Sequence, residues 1–325
     1  MMEMNKIVGV YPTMITPYKK DGDVDYGAVR ALTEWYWQMG CDGIFAVCQS
    51  SEIFELSLSD RVKLAKTIKE TADSLAKRDH SRAPMGIVAS GHISYDREEQ
   101  KNEIFAIGET GVDAVILISN RMDIPNTTED AWISDLDRLM EELPAQMKLG
   151  VYECPRPYKR LLSNRMLSHC AQTGRFAFMK DTCCDASVIA GRVKMIAGTP
   201  MRLLNANGQT LLDSLRAGAA GYSGIMANFH PELYVWLCRH FEEEPETADL
   251  VQSFLSTAAF TEHETMSYPM TAKYHLRYIE NLPFECVSSR VRPLNALTDY
   301  QKDCVKRMDM LAEHIKDLIL KRKVN

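Results

Sequence analysis

Eight short apolar runs, rich in Val, Ile, Leu and Phe, recur along the chain between longer segments in which apolar residues return every three or four positions. They span residues 8–16 (VGVYPTMIT), 43–47 (GIFAV), 85–90 (MGIVAS), 113–119 (DAVILIS), 148–153 (KLGVYE), 176–181 (FAFMKD), 201–206 (MRLLNA) and 221–226 (GYSGIM). Most are apolar nearly throughout instead of alternating. That pattern suits strands covered on both faces, as in a parallel sheet wrapped by helices. The intervening segments, such as 25–40, 58–78, 97–111 and 127–143, carry helical periodicity. Several stop at glycines (Gly40, Gly111, Gly218), which can take the left-handed conformation that ends a helix before a strand.

Eight β-then-α units in this length fit a closed (β/α)8 barrel, a TIM barrel, whose usual size is about 250 residues. A doubly wound open sheet is the alternative, but no G-x-G-x-x-G follows the first strand, so a dinucleotide-binding domain lacks its main support. Beyond Ala227 the pattern changes to helices without strands. The chain is therefore divided into a barrel, residues 1–228, and a C-terminal helical extension, residues 229–325. In the last helix, predicted over 298–323, Val305, Met308, Leu311, Ile315, Leu318 and Ile319 form one apolar stripe expected to face the core.

Composition narrows the function classes. The chain has 325 residues, 46% hydrophobic and 25% charged, with a formal net charge of -6, so no basic field attracts nucleic acid or anionic lipid. The expected partner is a small molecule. No run reaches the ~18 apolar residues of a membrane span, and no secretory pattern opens the chain. Nine scattered cysteines show no Cys-x-x-Cys or zinc spacing, which reads as reduced thiols in a cytoplasmic protein. The eight histidines show no H-E-x-x-H or other ligand spacing, so no metal site is expected.

In such a barrel the active site is built at the C-terminal strand ends. The residues there include Thr16, the stretch CQSSE (48–52), His92, residues 119–122 (SNRM), Tyr152, Lys180, Asn205 and Ser223. Lys180 and Tyr152 lie one β/α unit apart, which places them at matching levels on neighbouring strands. An amine among Phe176, Phe178 and Met179 loses charge stabilisation and becomes nucleophilic, and an adjacent phenol can relay the protons of imine formation. Taken singly, each residue could equally be a solvated strand-end lysine or a rim-packed tyrosine; the pairing favours chemistry. Ser50 and Ser51, at a strand-to-helix turn, could hold a carboxylate or simply cap the helix, with Glu52 closing that local network.

The order and spacing of CQSSE, YECP (152–155), FAFMKDT (176–182) and GAAGYSGIMAN (218–228) resemble the dihydrodipicolinate synthase and N-acetylneuraminate lyase family. That resemblance implies a class I aldolase or lyase in which Lys180 forms a Schiff base with pyruvate or another 2-oxo acid. It implies Tyr152 as the proton-transfer residue and Ser50 as the hydroxyl linking tyrosine and substrate carboxylate. Ser51 and Gln49 would line the same turn, and Ser223 would face the oxo acid from strand 8, with Asn205 and Thr16 nearby at their strand ends. No cofactor is implied, an aldehyde is the implied second substrate, and a homo-oligomer, tetramer or dimer, is expected. The chain departs from the family pattern at Cys48, Gln49 and Ser51, at Glu153, at 119–122 where a tyrosine is usual, and at Arg156, one place early. The alternatives are an authentic 4-hydroxy-tetrahydrodipicolinate synthase, a 2-keto-3-deoxy sugar acid dehydratase, or a degenerate barrel that binds a 2-oxo acid without turnover.

Overall fold

The computed structural model describes residues 7–265, 267–291 and 296–322. The outer ends of both proposed domains, 1–6 and 323–325, lie outside the described residues. Eight parallel strands alternate with helices: β1 Gly9–Val10, β2 Gly43–Phe45, β3 Gly86–Ala89, β4 Ala114–Ile118, β5 Leu149–Tyr152, β6 Phe176–Asp181, β7 Arg202–Asn205 and β8 Gly221–Tyr222. They hydrogen-bond in the order β1-β8-β7-β6-β5-β4-β3-β2, and a parallel bridge between Thr13 and Phe45 joins the two ends. The result is the expected (β/α)8 barrel.

The helices between the strands are α1 Tyr26–Gln38, α2 Leu58–Arg78, α3 Arg97–Gly108, α4 Glu129–Glu142, α5 Asn164–Gln172, α6 Ala186–Ile196 and α7 Leu211–Arg216. Most start on a side chain that accepts a first-turn N–H: Asp25, Ser57, Asp96, Thr128, Ser163 and Asp185 satisfy donors that a helix start leaves free. Gly40 and Gly111, at φ +82° and +81°, take the left-handed conformation expected between helix and strand.

After β8 come α8 Pro231–His240, α9 Pro245–Thr265, α10 Met270–Tyr278 and α11 Asp299–Arg322. The proposed division at residue 228 falls just before α8, which packs on β1 and β8. The α11 stripe divides: Val305, Met308, Ile315 and Ile319 are buried, whereas Leu311 and Leu318 are 47% and 44% exposed. The first and last predicted strands shrink to two residues each. Pro12 has no N–H to donate to a ladder, and only its carbonyl is used, by the N–H of Phe45.

Inside the barrel, Tyr11, Phe45, Val88, Ile116, Ile118, Tyr152, Phe178 and Leu204 form one buried cluster. Phe45 meets the rings of Phe178 and Tyr152 edge-on, at centroid distances of 5.7 and 5.6 Å. These rings make an apolar floor beneath the C-terminal strand ends. The outer layer of core lies between the sheet and the helices. Among the described residues no helix is long and apolar enough to cross a membrane.

Candidate active site

Tyr152 and Lys180 are direct partners in the β5–β6 ladder. Both are about nine-tenths or more buried, at 4% exposure each. The Lys180 ammonium nitrogen sits 4.3 Å from the centroid of the Tyr152 ring and 5.6 Å from that of Phe45. Burial lowers the Lys180 pKa from the ordinary lysine value, opposed by the smaller influence of the Cys48 and Cys154 thiols. Burial likewise raises Tyr152 well above the ordinary phenol value, reinforced by Cys154 and Cys48. The arrangement therefore favours a neutral phenol beside an amine that gives up its proton easily.

Alternation along β5 and β6 sends the next residues the other way. Glu153 and Asp181 point outward and share Arg192 of α6, with Glu153 at 2.9 Å and Asp181 in direct contact. Glu153 also accepts the N–H groups of Leu162 (2.8 Å) and Thr182 (2.9 Å). All three charged side chains are buried. A buried ion cluster holds only when its hydrogen bonds are satisfied, and this one pins the ends of the two strands that carry Tyr152 and Lys180. This outward position accounts for the glutamate at 153.

The stretch 48–52 forms a short 3-10 turn, Gln49–Ser51, capped by Glu52 in the left-handed region at φ 60°. Ser50 Oγ donates to Thr13 Oγ1 at 3.0 Å. The Gln49 amide oxygen accepts from the Cys154 thiol at 3.2 Å, tying this turn to the end of β5. Ser51 behaves differently from the expectation. Its hydroxyl is shared between the carbonyls of Met14 (2.7 Å) and Ala46 (3.1 Å) and accepts the N–H of Cys48, so it is spent on local backbone. Thr16 donates to the Ser51 carbonyl at 2.8 Å and braces the turn from beneath. Glu52 does not close the turn on itself. It reaches across the fold to Lys273 (2.7 Å), Ser289 (2.9 Å) and the N–H of Val291 (3.1 Å), anchoring the turn to the C-terminal extension.

Asn205 also turns outward. Its amide donates to Thr210 (3.0 Å) and Ser214 (3.1 Å) at α7, and its oxygen accepts the Asn207 N–H. Ser223 faces the opposite way: its N–H donates to the Asn205 carbonyl at 2.9 Å, while its buried hydroxyl has no partner among the described residues. A buried hydroxyl without a partner is a candidate ligand contact. His92 is wholly buried, and its Nδ1 accepts the Ile118 N–H at 3.1 Å; burial pushes its pKa down to about 4, so it stays neutral.

Three residues emerge that the sequence did not single out. Thr13 receives the Ser50 hydroxyl, and Asn228 donates to the Thr13 carbonyl (2.9 Å) and to the phenol of Tyr268 (3.2 Å). Tyr268 also hydrogen-bonds Ser50 and Thr13; burial raises its pKa, and those two bonds pull against the rise. It arrives from the extension, in a segment whose sequence signals only the approach to α10.

Comparison with known proteins agrees with the fold. Residues 6–77 match the sequence model of the Dihydrodipicolinate synthetase family. The chain is 22% identical over 230 residues to the 4-hydroxy-tetrahydrodipicolinate synthase of Coxiella burnetii, covering 71% of this chain and 73% of that protein. The sialic acid aldolase of Ruminococcus gnavus superposes with a TM-score of 0.81 at 19% identity, over 96% of this chain and 99% of that one. The dihydrodipicolinate synthase of Acinetobacter baumannii, solved in complex with pyruvate, gives 0.80 at 20% identity, over 94% and 99%. Members of this group are lyases and aldolases. Over residues 6–77 in sequence, and over nearly its whole length in fold, the chain is thus similar to members of the dihydrodipicolinate synthase and N-acetylneuraminate lyase family.

Proposed function

We propose that the protein is a Schiff-base-forming aldolase or lyase that makes or breaks a carbon-carbon bond in pyruvate or another 2-oxo acid. The observation that carries this reading is the buried amine of Lys180 beside the Tyr152 phenol at the C-terminal strand ends. In the proposed sequence the neutral Lys180 amine adds to the ketone carbon, giving a carbinolamine. Tyr152 passes a proton to the departing hydroxyl, which leaves as water, and the iminium remains. The positive nitrogen then accepts the electron pair released at the neighbouring carbon, either when a proton leaves before bond formation or when the carbon-carbon bond breaks. Hydrolysis of the iminium returns the free amine.

Ser50 and the unpartnered Ser223 hydroxyl are the proposed contacts for the substrate's carboxylate end, with Gln49 lining the same turn. Thr13, Asn228 and Tyr268 act through Ser50 as positioning residues. Thr16, Ser51 and Asn205 support the strand ends through the local bonds described above.

The test is reductive trapping. Incubation with pyruvate and borohydride should leave one reduced pyruvate adduct, mapped to the peptide that contains Lys180. An adduct on a different lysine, or none with any 2-oxo acid, removes the reading. An adduct without turnover of any aldehyde or sugar acid would support a binding protein instead.

A further inference from the structure

The segment that leaves the barrel carries a histidine with nothing to bond. His230 sits at the cap position before α8, yet its side chain does not cap that helix. It is 2% exposed, and neither Nδ1 nor Nε2 has a hydrogen-bond partner among the described residues. A neutral imidazole offers one N–H and one lone pair, and burying both unused is costly. Burial holds its pKa well below the ordinary histidine value, and His275 and Lys316 add to the drop. The ring is therefore neutral, with a nitrogen lone pair free.

Two further side chains meet it. The ring of His275, in α10, is wholly buried and stands edge-on to His230 at 5.1 Å between centroids. Its Nε2 lies 2.8 Å from the Phe229 carbonyl, which can only accept, so Nε2 carries the proton and Nδ1 the lone pair. That Nδ1 also has no partner among the described residues. Glu280 Oε1 lies 3.4 Å from the same Nε2, and its other oxygen accepts the Trp35 indole N–H at 3.1 Å. An imidazole oriented through one nitrogen by a carbonyl or carboxylate is ready to ligate a metal through the other. Asp309, in α11, supplies the third group. One nitrogen of each histidine and one Asp309 oxygen lie within 4.8 Å of one another. Burial raises the Asp309 pKa; His275 opposes the rise, Glu313 and Glu280 add to it, and Lys316 opposes it. Lys316 is already engaged by Glu232 and Glu313, so the Asp309 charge is poorly balanced.

We propose that His230, His275 and Asp309 bind a divalent transition-metal cation of the zinc class, clamping α8, α10 and α11 together. Two imidazoles and one carboxylate are a donor set that suits zinc, whereas calcium and magnesium take oxygen donors. A tetrahedral zinc with bonds of about 2.1 Å sets its donors about 3.4 Å apart, so the three side chains draw in by about an ångström and water takes the fourth position. The cation completes both imidazoles and offsets the Asp309 charge. No ligand spacing in the sequence marks the site, because folding gathers its members from three separate segments. The clamp bears on the candidate active site through the backbone: Asn228, two residues before His230, donates to the Thr13 carbonyl and to Tyr268, which leads into α10. It stands whether or not Lys180 forms an imine.

Titration of the chelator-stripped full chain with zinc sulfate tests this. Wild type should take up about one equivalent per chain, and zinc at about a hundredfold excess over its dissociation constant should raise the unfolding temperature by about 4 °C. Asp309→Asn keeps the shape of the side chain and should weaken zinc binding by at least about a hundredfold. His230→Phe should abolish binding and still fold, because an apolar ring replaces an unbonded imidazole that packs 5.9 Å from the Phe254 ring centroid. Cobalt chloride reads the donors directly: the bound ion should absorb in the visible without the intense near-ultraviolet bands of cobalt-thiolate bonds. Replacing the exposed thiol, Cys184→Ser, should leave both metals bound as in wild type. Absence of a zinc equivalent in wild type, zinc binding as tight in Asp309→Asn or His230→Phe as in wild type, or cobalt-thiolate bands that mark a cysteine site overturns the proposal.

Discussion

Lys180→Ala is expected to abolish borohydride trapping and to lower turnover by at least about a thousandfold, while the protein still folds. The size follows from the proposed role. Without a primary amine at this position no iminium forms there, and the proposed covalent electron sink is lost. The fold should survive because the lysine contributes little to the packing that closes the barrel. That packing rests on Tyr11, Phe45, Ile116, Phe178 and Leu204, and on the Glu153–Arg192–Asp181 cluster behind the strands. The change also removes a group whose charged form is disfavoured by burial. Cooperative thermal unfolding and an unchanged far-ultraviolet circular dichroism spectrum check the fold; trapping and turnover assays check the chemistry. A variant that folds and retains turnover would show that Lys180 is a strand-end residue.

Tyr152→Phe should slow turnover by about a hundred- to ten-thousandfold, the usual worth of a positioned proton donor. The substitution keeps the ring against Phe45, 5.6 Å away between centroids, and removes only the hydroxyl. Imine formation should still occur at Lys180, more slowly, because the amine is unchanged and water can carry some of the protons. The diagnostic result is a variant in which the trapped adduct accumulates to full stoichiometry over longer times while kcat stays depressed. Equal turnover by Tyr152→Phe and wild type would place the proton transfer elsewhere, with the Tyr268 phenol and the Cys154 and Cys48 thiols the groups to examine.

Much of this architecture is legible in the chain. The eight apolar runs all contain strands, and the capping residues and the glycines at 40 and 111 mark helix ends where the sequence puts them. The neighbouring positions of Tyr152 and Lys180 follow from one β/α unit of spacing. Sequence does not settle the face on which each strand-end polar residue emerges. A strand buried on both sides is apolar in both directions, so its pattern carries no inside-outside signal. Lys180 turns into the barrel while Asp181 beside it turns out, and Asn205 turns out to α7 while Leu204 turns in. Adjacency couples Ser51 to Ser50 in the sequence, yet the tight turn sends the Ser51 hydroxyl to backbone carbonyls.

Contacts between distant segments are hidden for a different reason. Glu52 and Lys273 are 221 residues apart, and neither flanking sequence marks the pairing. Burial lowers the pKa of Lys273, and the Glu52 carboxylate beside it opposes that drop. The helical extension thus holds the turn that carries Gln49 and Ser50, and it also delivers Tyr268 to Ser50 and Thr13. Local periodicity describes α10 as a helix, and only the fold gives it a part in the site.

The central claim is that burial keeps the Lys180 amine neutral at pH values where a solvent-exposed lysine is charged. The most direct measurement is the initial rate of pyruvate trapping at Lys180 as a function of pH, with the adduct located by peptide mapping at each point. The neutral fraction grows as pH rises through the folded-state pKa, and that pKa is lowered, so the rate should reach half its maximum clearly below the ordinary lysine value of about 10.4. A rate that keeps climbing to that ordinary value, with the adduct still on Lys180, would show an amine no different from one in water and would contradict the account.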